Sequence, residues 1–206
     1  MEMKFKTIKE SRDNYSRYIT DHIANVGTAF EMFGHNIMVY RDKLLSTGKG
    51  FEVGKDIITS EYIANHDASK FSVDEYEPYR KKFFCSEEDF EVSGFRLVED
   101  FEISVRRDFD RAWEHHYSVN KHHPEYWRTI ISGEEVYSSM PTYAFVEMIC
   151  DWISVSMTNH SSVSQWWFGN NGHGRDGKLN QIALKEDIEF IDKFITENRE
   201  RLDFSL

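Results

Sequence analysis

The chain has 206 residues, enough to bury about 70% of the surface of its unfolded form, and one domain is the expected organisation. Its 36 acidic and 25 basic side chains leave a net charge of -11, which argues against nucleic acid duplexes as partners, because phosphate backbones demand a basic face. The only cysteines, Cys85 and Cys150, lie far apart and outside any CxxC arrangement, so neither a disulfide framework nor a zinc finger is expected.

Met1 to Ser11 alternates charges with single apolar residues and lacks a signal-peptide core, and no stretch approaches the roughly 20 apolar residues of a membrane span. The expectation is a soluble, cytoplasmic protein without a membrane partner. From Tyr15 to Phe33 the apolar positions Tyr15, Tyr18, Ile19, Ile23, Val26, Ala29, Phe30 and Phe33 recur at helical spacing, which predicts one amphipathic helix with His22 inside its stripe. A second helix is expected from Asn36 to Leu45, before a loop from Ser46 to Gly54, and a third from Ile57 to Asn65, leading into His66-Asp67. Ser72-Val-Asp-Glu75 reads as a capping box for a helix from about Val73 to Phe84, and the acidic stretch Cys85 to Gly94 as turns.

Helical periodicity resumes from Phe95 to about Val119, with Phe101, Val105, Phe109, Ala112 and Trp113 on one face. His116 continues that face, whereas His115 falls nearer Arg111 and Asp108. Pro124 suits the first turn of a short helix reaching Ile130, which leaves His122 and His123 in a loop. The most apolar segment, Thr142 to Met157, has Glu147 and Asp151 as its only charges, four apart on one face. A Gly/Asn-rich loop from Gly169 to Gly177 precedes a terminal helix from about Ile182 to Arg199. No strand is expected, so the fold class is all-α: a single helical domain, core about 15–157, with a C-terminal loop and helix over 158–206.

His22, the pair His66-Asp67, His116 and Asp151 are polar residues set among apolar ones. Burying them costs several kcal/mol unless something satisfies them, and a divalent metal ion would do so for all at once. Each also has a plainer reading. A histidine in an apolar stripe is usually a hydrogen-bonded core residue, Glu147 and Asp151 could pair with an arginine such as Arg106 or Arg107, and Asp67 could end a helix. His35, with Val39 four residues on, competes with His22 for the first ligand position, but it follows Gly34 at an expected helix start, which favours His22. Trp166-Trp167 reads as core or interface packing. No HExxH motif and no P-loop occur.

The order His22, His66-Asp67, Asp151 on predicted helices resembles the HD-type metal-dependent phosphohydrolase superfamily. Longer segments resemble one little-characterised branch of it, met in bacteria and phages: Tyr18-Ile-Thr-Asp-His-Ile-Ala-Asn-Val26, Asn65-His-Asp-Ala-Ser-Lys-Phe71, the run from Ala112 to Trp127, and Glu147-Met-Ile-Cys-Asp-Trp152. The resemblance implies an HD-like helical domain in a bacterial or phage-infected cytoplasm. It implies His22, His66, Asp67 and Asp151 as metal ligands, with His116 as the additional histidine of two-metal members. One or two divalent ions (Mn, Fe, Co, Zn or Mg) are then expected, and hydrolysis of a phosphate ester, with a nucleotide the favoured substrate. Lys70, three residues past Asp67, could aim its ammonium at a substrate phosphate, and Asn120 and His123 could orient that phosphate or protonate the leaving oxygen. Two other readings stay open: a di-iron oxygenase of HD type, and a non-catalytic, metal-stabilised module that binds a nucleotide or a protein. A homo-oligomer is compatible with all of them.

Overall fold

The computed structural model describes residues 3–47, 60–169, 174–178 and 181–205, and over these the chain is mainly helical. It divides into two compact units, Met1–Asp21 with Asp67–Asn120, and His22–His66 with Lys121–Leu206. Each has its own apolar core. Among the described residues no helix is long and apolar enough to cross a membrane.

The first unit holds the start of α1 (Ile8–Ala29), a 3-10 turn at Ala68–Phe71, α4 (Tyr76–Phe84), α5 (Glu87–Ser93) and α6 (Val98–Val119); α2 (His35–Thr47) and α3 (Ser60–Ala64) belong to the second unit. Helix α1 begins earlier than the apolar stripe predicts, because Thr7 Oγ1 accepts from the Glu10 amide (3.1 Å) and Glu88 Oε2 from the Ile8 amide (2.8 Å). Those contacts satisfy amide donors of the first turn. The capping box expected at Ser72–Glu75 does not form: α4 starts at Tyr76, and Glu75 makes no side-chain cap. A capping box forms instead at Ser86, whose Oγ accepts from the Asp89 amide while Asp89 Oδ2 accepts from the Ser86 amide. It starts α5, a helix where turns were expected, and Gly94 at φ 78 ends it.

Behind this cap lies Arg80, fully buried, with Nη1 and Nη2 on the two oxygens of Asp89 at 2.8 and 2.6 Å and further bonds to Ser11 and Glu77. A buried guanidinium is tolerable only when its donors are met in this way. Helix α6 turns Phe101, Val105, Ala112 and His116 inward, as its periodicity predicts, while Phe109 packs edge-on to Tyr79.

In the second unit α1 passes into α2 (His35–Thr47) through a π-helical turn, Phe30–Gly34, with no break at Gly34. A Cβ on Gly34 would fall on the Phe30 ring, so glycine here permits close packing and does not end the helix. Helix α3 spans Ser60–Ala64 and Asn65 begins a turn; residues 57–59 of the helix expected from Ile57, and residues 48–54 of the expected Ser46–Gly54 loop, lie outside the described residues, as do residues 170–173 of the Gly169–Gly177 loop.

After a 3-10 turn at Pro124–Trp127 comes an antiparallel hairpin, β1 (Arg128–Ile131) and β2 (Glu134–Tyr137), pairing Arg128 with Tyr137 and Ile131 with Glu134. This corrects both the expected absence of strands and the helix expected to reach Ile130. Thr129, Ile130, Ile131 and Val136 are β-branched, and Ser132 and Gly133 take positive φ (54 and 86), the requirement of a two-residue hairpin turn. Helices α7 (Thr142–Thr158), α8 (Val163–Phe168), α9 (Arg175–Lys178) and α10 (Lys185–Glu197) complete the unit. Its core sets Phe145, Ile149 and Ile153 of α7 with Phe33, Trp167 and Ile191. Trp167 is fully buried, as expected for packing, and its Nε1 donates to Asp192.

Candidate metal centre

Three of the expected ligands meet in the second unit. His22 comes from α1, His66 from the turn that follows α3, and Asp151 from the middle of α7. His22 Nε2 lies 3.2 Å from His66 Nε2 and 3.2 Å from Asp151 Oδ1, and His66 Nε2 lies 3.5 Å from the same oxygen. Both histidines are buried, whereas the competing His35 is exposed on the surface of α2.

The far side of each ring settles what those Nε2 atoms carry. Ser154 Oγ donates its only hydrogen to the Asp151 carbonyl (2.7 Å), so toward His22 Nδ1, at 3.0 Å, it acts as an acceptor. Glu147 accepts from His66 Nδ1 (2.9 Å) in the same manner. Each neutral ring therefore has its hydrogen on Nδ1 and its lone pair on Nε2. Burial works to raise the pKa of Asp151, whereas hydrogen bonds and positive charge from His22 and His66, which they offer at Nε2 only when protonated there, outweigh it and hold the carboxyl well below the ordinary range. With both rings neutral, two nitrogen lone pairs and the Asp151 carboxylate face one another, and positive charge, as protons on Nε2 or as a cation, is what stabilises that arrangement.

A cation fits. Ligands about 2.0 to 2.2 Å from a tetrahedral ion lie about 3.3 to 3.6 Å from one another, which is close to the three separations here. These atoms form one of the groups of His and carboxylate side chains able to hold an ion.

Glu147, one turn before Asp151, does not pair with an arginine. Tyr62 donates to its Oε2 (2.7 Å), while His66 and His122 approach Oε1 through Nδ1 at 2.9 and 3.3 Å. Burial would raise its pKa, yet the hydrogen bonds and charge of His122 and His66 bring it down to about 2. His122, which the sequence places only in a loop, is buried, and its ring centroid lies 4.4 Å from that of His66. His123 beside it is half-buried, its ring tilted against that of His122 with centroids 4.3 Å apart.

The first unit carries the other two expected ligands. Asp67 adopts a left-handed conformation, φ 53 and ψ 21, and its side chain makes no cap bond to the 3-10 turn that follows. Its Oδ1 faces His116 Nε2 at 3.3 Å, and its Oδ2 forms an ion pair with Lys70 at 2.6 Å. Lys70 is thus engaged with Asp67 and also lies over the Tyr79 ring. His116 is buried and His115 half-buried, in the order that helix periodicity predicts. Glu75 bridges them, Oε2 to His116 Nδ1 and Oε1 to His115 Nδ1, both at 2.8 Å. Burial acts to raise the Glu75 pKa, and the His116 and His115 contacts lower it overall. Asn120 donates to Ser69 Oγ (2.8 Å) and to the His116 carbonyl (2.9 Å), an orienting role within the unit.

Of the five expected ligands, His22, His66 and Asp151 meet within the second unit, and Asp67 and His116 within the first. Sequence reasoning missed Ser154, Tyr62, Glu75 and the burial of His122. Ser154 had a usable signal, since it lies three residues past Asp151 on the same helix.

One family model matches the chain over residues 11–194, that of a family of unknown function (DUF5662). No curated protein and no solved structure matches it.

Proposed function

We propose that this chain, which belongs to that family of unknown function, is a metal-dependent phosphohydrolase acting on a small phosphate ester, with a nucleotide the favoured substrate. The observation that carries the reading is the meeting of His22 Nε2, His66 Nε2 and Asp151 Oδ1 at 3.2 to 3.5 Å, with the hydrogens of both rings committed elsewhere. Imidazole and carboxylate donors suit Mn, Fe, Co, Zn or Mg, and one or two ions per chain are proposed. Asp67 and His116 are proposed as metal ligands on the strength of the resemblance to HD enzymes alone. A divalent ion supplies positive charge against the phosphoryl oxygens and makes water acidic enough to react near neutral pH.

The chain's own groups do the rest. Ser154 and Glu147 hold the two imidazoles with their lone pairs toward Asp151. In hydrolysis a water oxygen forms a bond to phosphorus as the ester P–O bond breaks, and the leaving oxygen takes up a proton, for which His123 is the proposed donor. Lys70 is proposed to meet the substrate phosphate, exchanging part of its pairing with Asp67 for it, and Asn120 to orient the groups around it.

The test combines elemental analysis of purified protein with a phosphoester and nucleotide panel in Mn, Co and Mg. Stoichiometric metal that disappears in His22→Ala, together with turnover, is the expected result. No metal in the wild type would overturn the reading. Metal without turnover would favour a metal-stabilised binding module, and anaerobic iron reconstitution followed by oxygen exposure would reveal a di-iron oxygenase.

A further inference from the structure

We propose that Glu147 is a positioning residue for this metal site, a buried carboxylate that holds His66 and His122 by Nδ1 and so fixes each ring with its lone pair on Nε2. The inference rests on the metal reading above and adds the group on which that site's affinity depends.

Glu147 lies in the most apolar helix of the chain and is 4% exposed. A carboxylate there destabilises the fold unless it is well satisfied. Three donors reach it, the Tyr62 hydroxyl on Oε2 and the Nδ1 atoms of His66 and His122 on Oε1. With both oxygens accepting hydrogen bonds, and with His66 presenting Nε2 to His22 and Asp151, Glu147 acts through the rings and is not itself a ligand. In water the two imidazole tautomers interconvert freely. A carboxylate at Nδ1 selects one of them, fixes the ring plane and raises the basicity of Nε2. The other unit repeats the device, with Glu75 bridging Nδ1 of His115 and of His116 at 2.8 Å each.

The experiment uses the full chain, metal-free and then titrated with zinc. Ring 15N spectra of the metal-free protein, with His66 assigned through His66→Gln, report the tautomer directly. Wild type should show His66 with its hydrogen on Nδ1. Glu147→Gln, nearly the same shape without the charge, should turn His66 into a tautomer mixture and weaken zinc binding by about ten- to hundred-fold at unchanged helicity. Should Glu147→Gln fail to fold, Glu147→Asp keeps the charge while withdrawing the oxygens by one methylene, and a smaller shift in the same direction is expected.

The proposal is overturned if His66 Nδ1 in wild type carries no hydrogen, or if Nδ1 stays wholly protonated in Glu147→Gln with zinc affinity within about twofold. A fall in the number of zinc ions bound, with the His66 tautomer unchanged, would make Glu147 a ligand and equally overturn it. A wild type that binds no zinc, while its His66 tautomer still depends on Glu147, would remove the metal reading and leave the positioning role standing.

Discussion

Asp67 occupies a backbone region that aspartate and asparagine tolerate alike, φ 53 and ψ 21, so Asp67→Asn removes a charge with little demand on the main chain. An aspartate that merely ended a helix would be replaced without loss, because the two residues are about equivalent as caps. Asp67 makes no such cap, and its carboxylate faces His116 and Lys70. Under the proposed metal-dependent hydrolysis, metal content and phosphohydrolase rate should fall by orders of magnitude in Asp67→Asn while circular dichroism stays helical. Unchanged metal and rate on the same preparation would take Asp67 out of the site. The tandem histidines allow a comparison of neighbours. His116 is buried between Glu75 and Asp67, whereas about a third of the His115 side chain is exposed. His116→Ala should accordingly lose more metal and activity than His115→Ala, and equal losses would show that the bridge from Glu75 matters more than the inward ring.

Among the elements, what could be read in the sequence was whatever carries a long apolar period. Helices α1, α6, α7 and α10 bury faces that recur at three and four residues, and His22, His116 and Asp151 stood out because they interrupt or continue those faces. The hairpin offered no such signal, since almost every residue of β1 and β2 is exposed and no burial alternation exists to be seen. Capping shows a different limit. Ser72-Val-Asp-Glu75 and Ser86-Glu-Glu-Asp89 are nearly the same local pattern, yet Glu75 is drawn to histidines 40 and 41 residues away and only Ser86 forms the cap. Partners such as Glu147 with His66, 81 residues apart, are likewise fixed by tertiary packing. Gly34 precedes an expected helix start but serves close packing inside a continuous helix, and Gly174 makes a sharper case: an added Cβ there would strike the backbone carbonyl oxygens of Trp166 and Trp167. Gly174→Ala should therefore cost about 1 to 3 kcal/mol in urea unfolding, the range of overpacking. Gly133→Ala meets open space and only the strain of φ 86, so about 1 kcal/mol, felt in the hairpin amides by hydrogen exchange, is expected. A Gly174→Ala protein as stable as wild type would mean that the segment shifts without resistance.

Over the whole molecule, the response to acid follows from buried carboxylates that are perturbed in opposite directions. Burial works to raise Asp89, but Arg80 and Ser86 more than compensate and hold it at about 2. Glu147 is likewise held at about 2 by His122 and His66 against burial. Both bind protons more weakly in the folded chain than in the unfolded one. They contribute stability that is present above about pH 4 and lost as pH falls toward 2. Asp187 behaves the other way. Arg41 Nη2 lies 3.1 Å from its Oδ2, which favours the anion, yet burial prevails and raises its pKa from 3.8 to about 6. The folded chain therefore binds this proton more tightly, and the associated stability, complete below about pH 4, is lost as pH rises through 6. The size is about 3 kcal/mol, from the pKa difference at about 1.4 kcal/mol per unit. With metal removed by chelation, urea midpoints should climb from pH 2 to about 4 and the Asp187 contribution should then pull them down between 4 and 6. Asp187→Asn removes that second limb, because asparagine does not titrate and Arg41 keeps its bonds to Ser139 Oγ and the Met140 carbonyl. The variant should be more stable than wild type near pH 7 relative to its standing near pH 4. If wild type and Asp187→Asn instead run parallel from pH 4 to 7, Asp187 is ionised throughout, and the Arg41 pair rather than burial governs it.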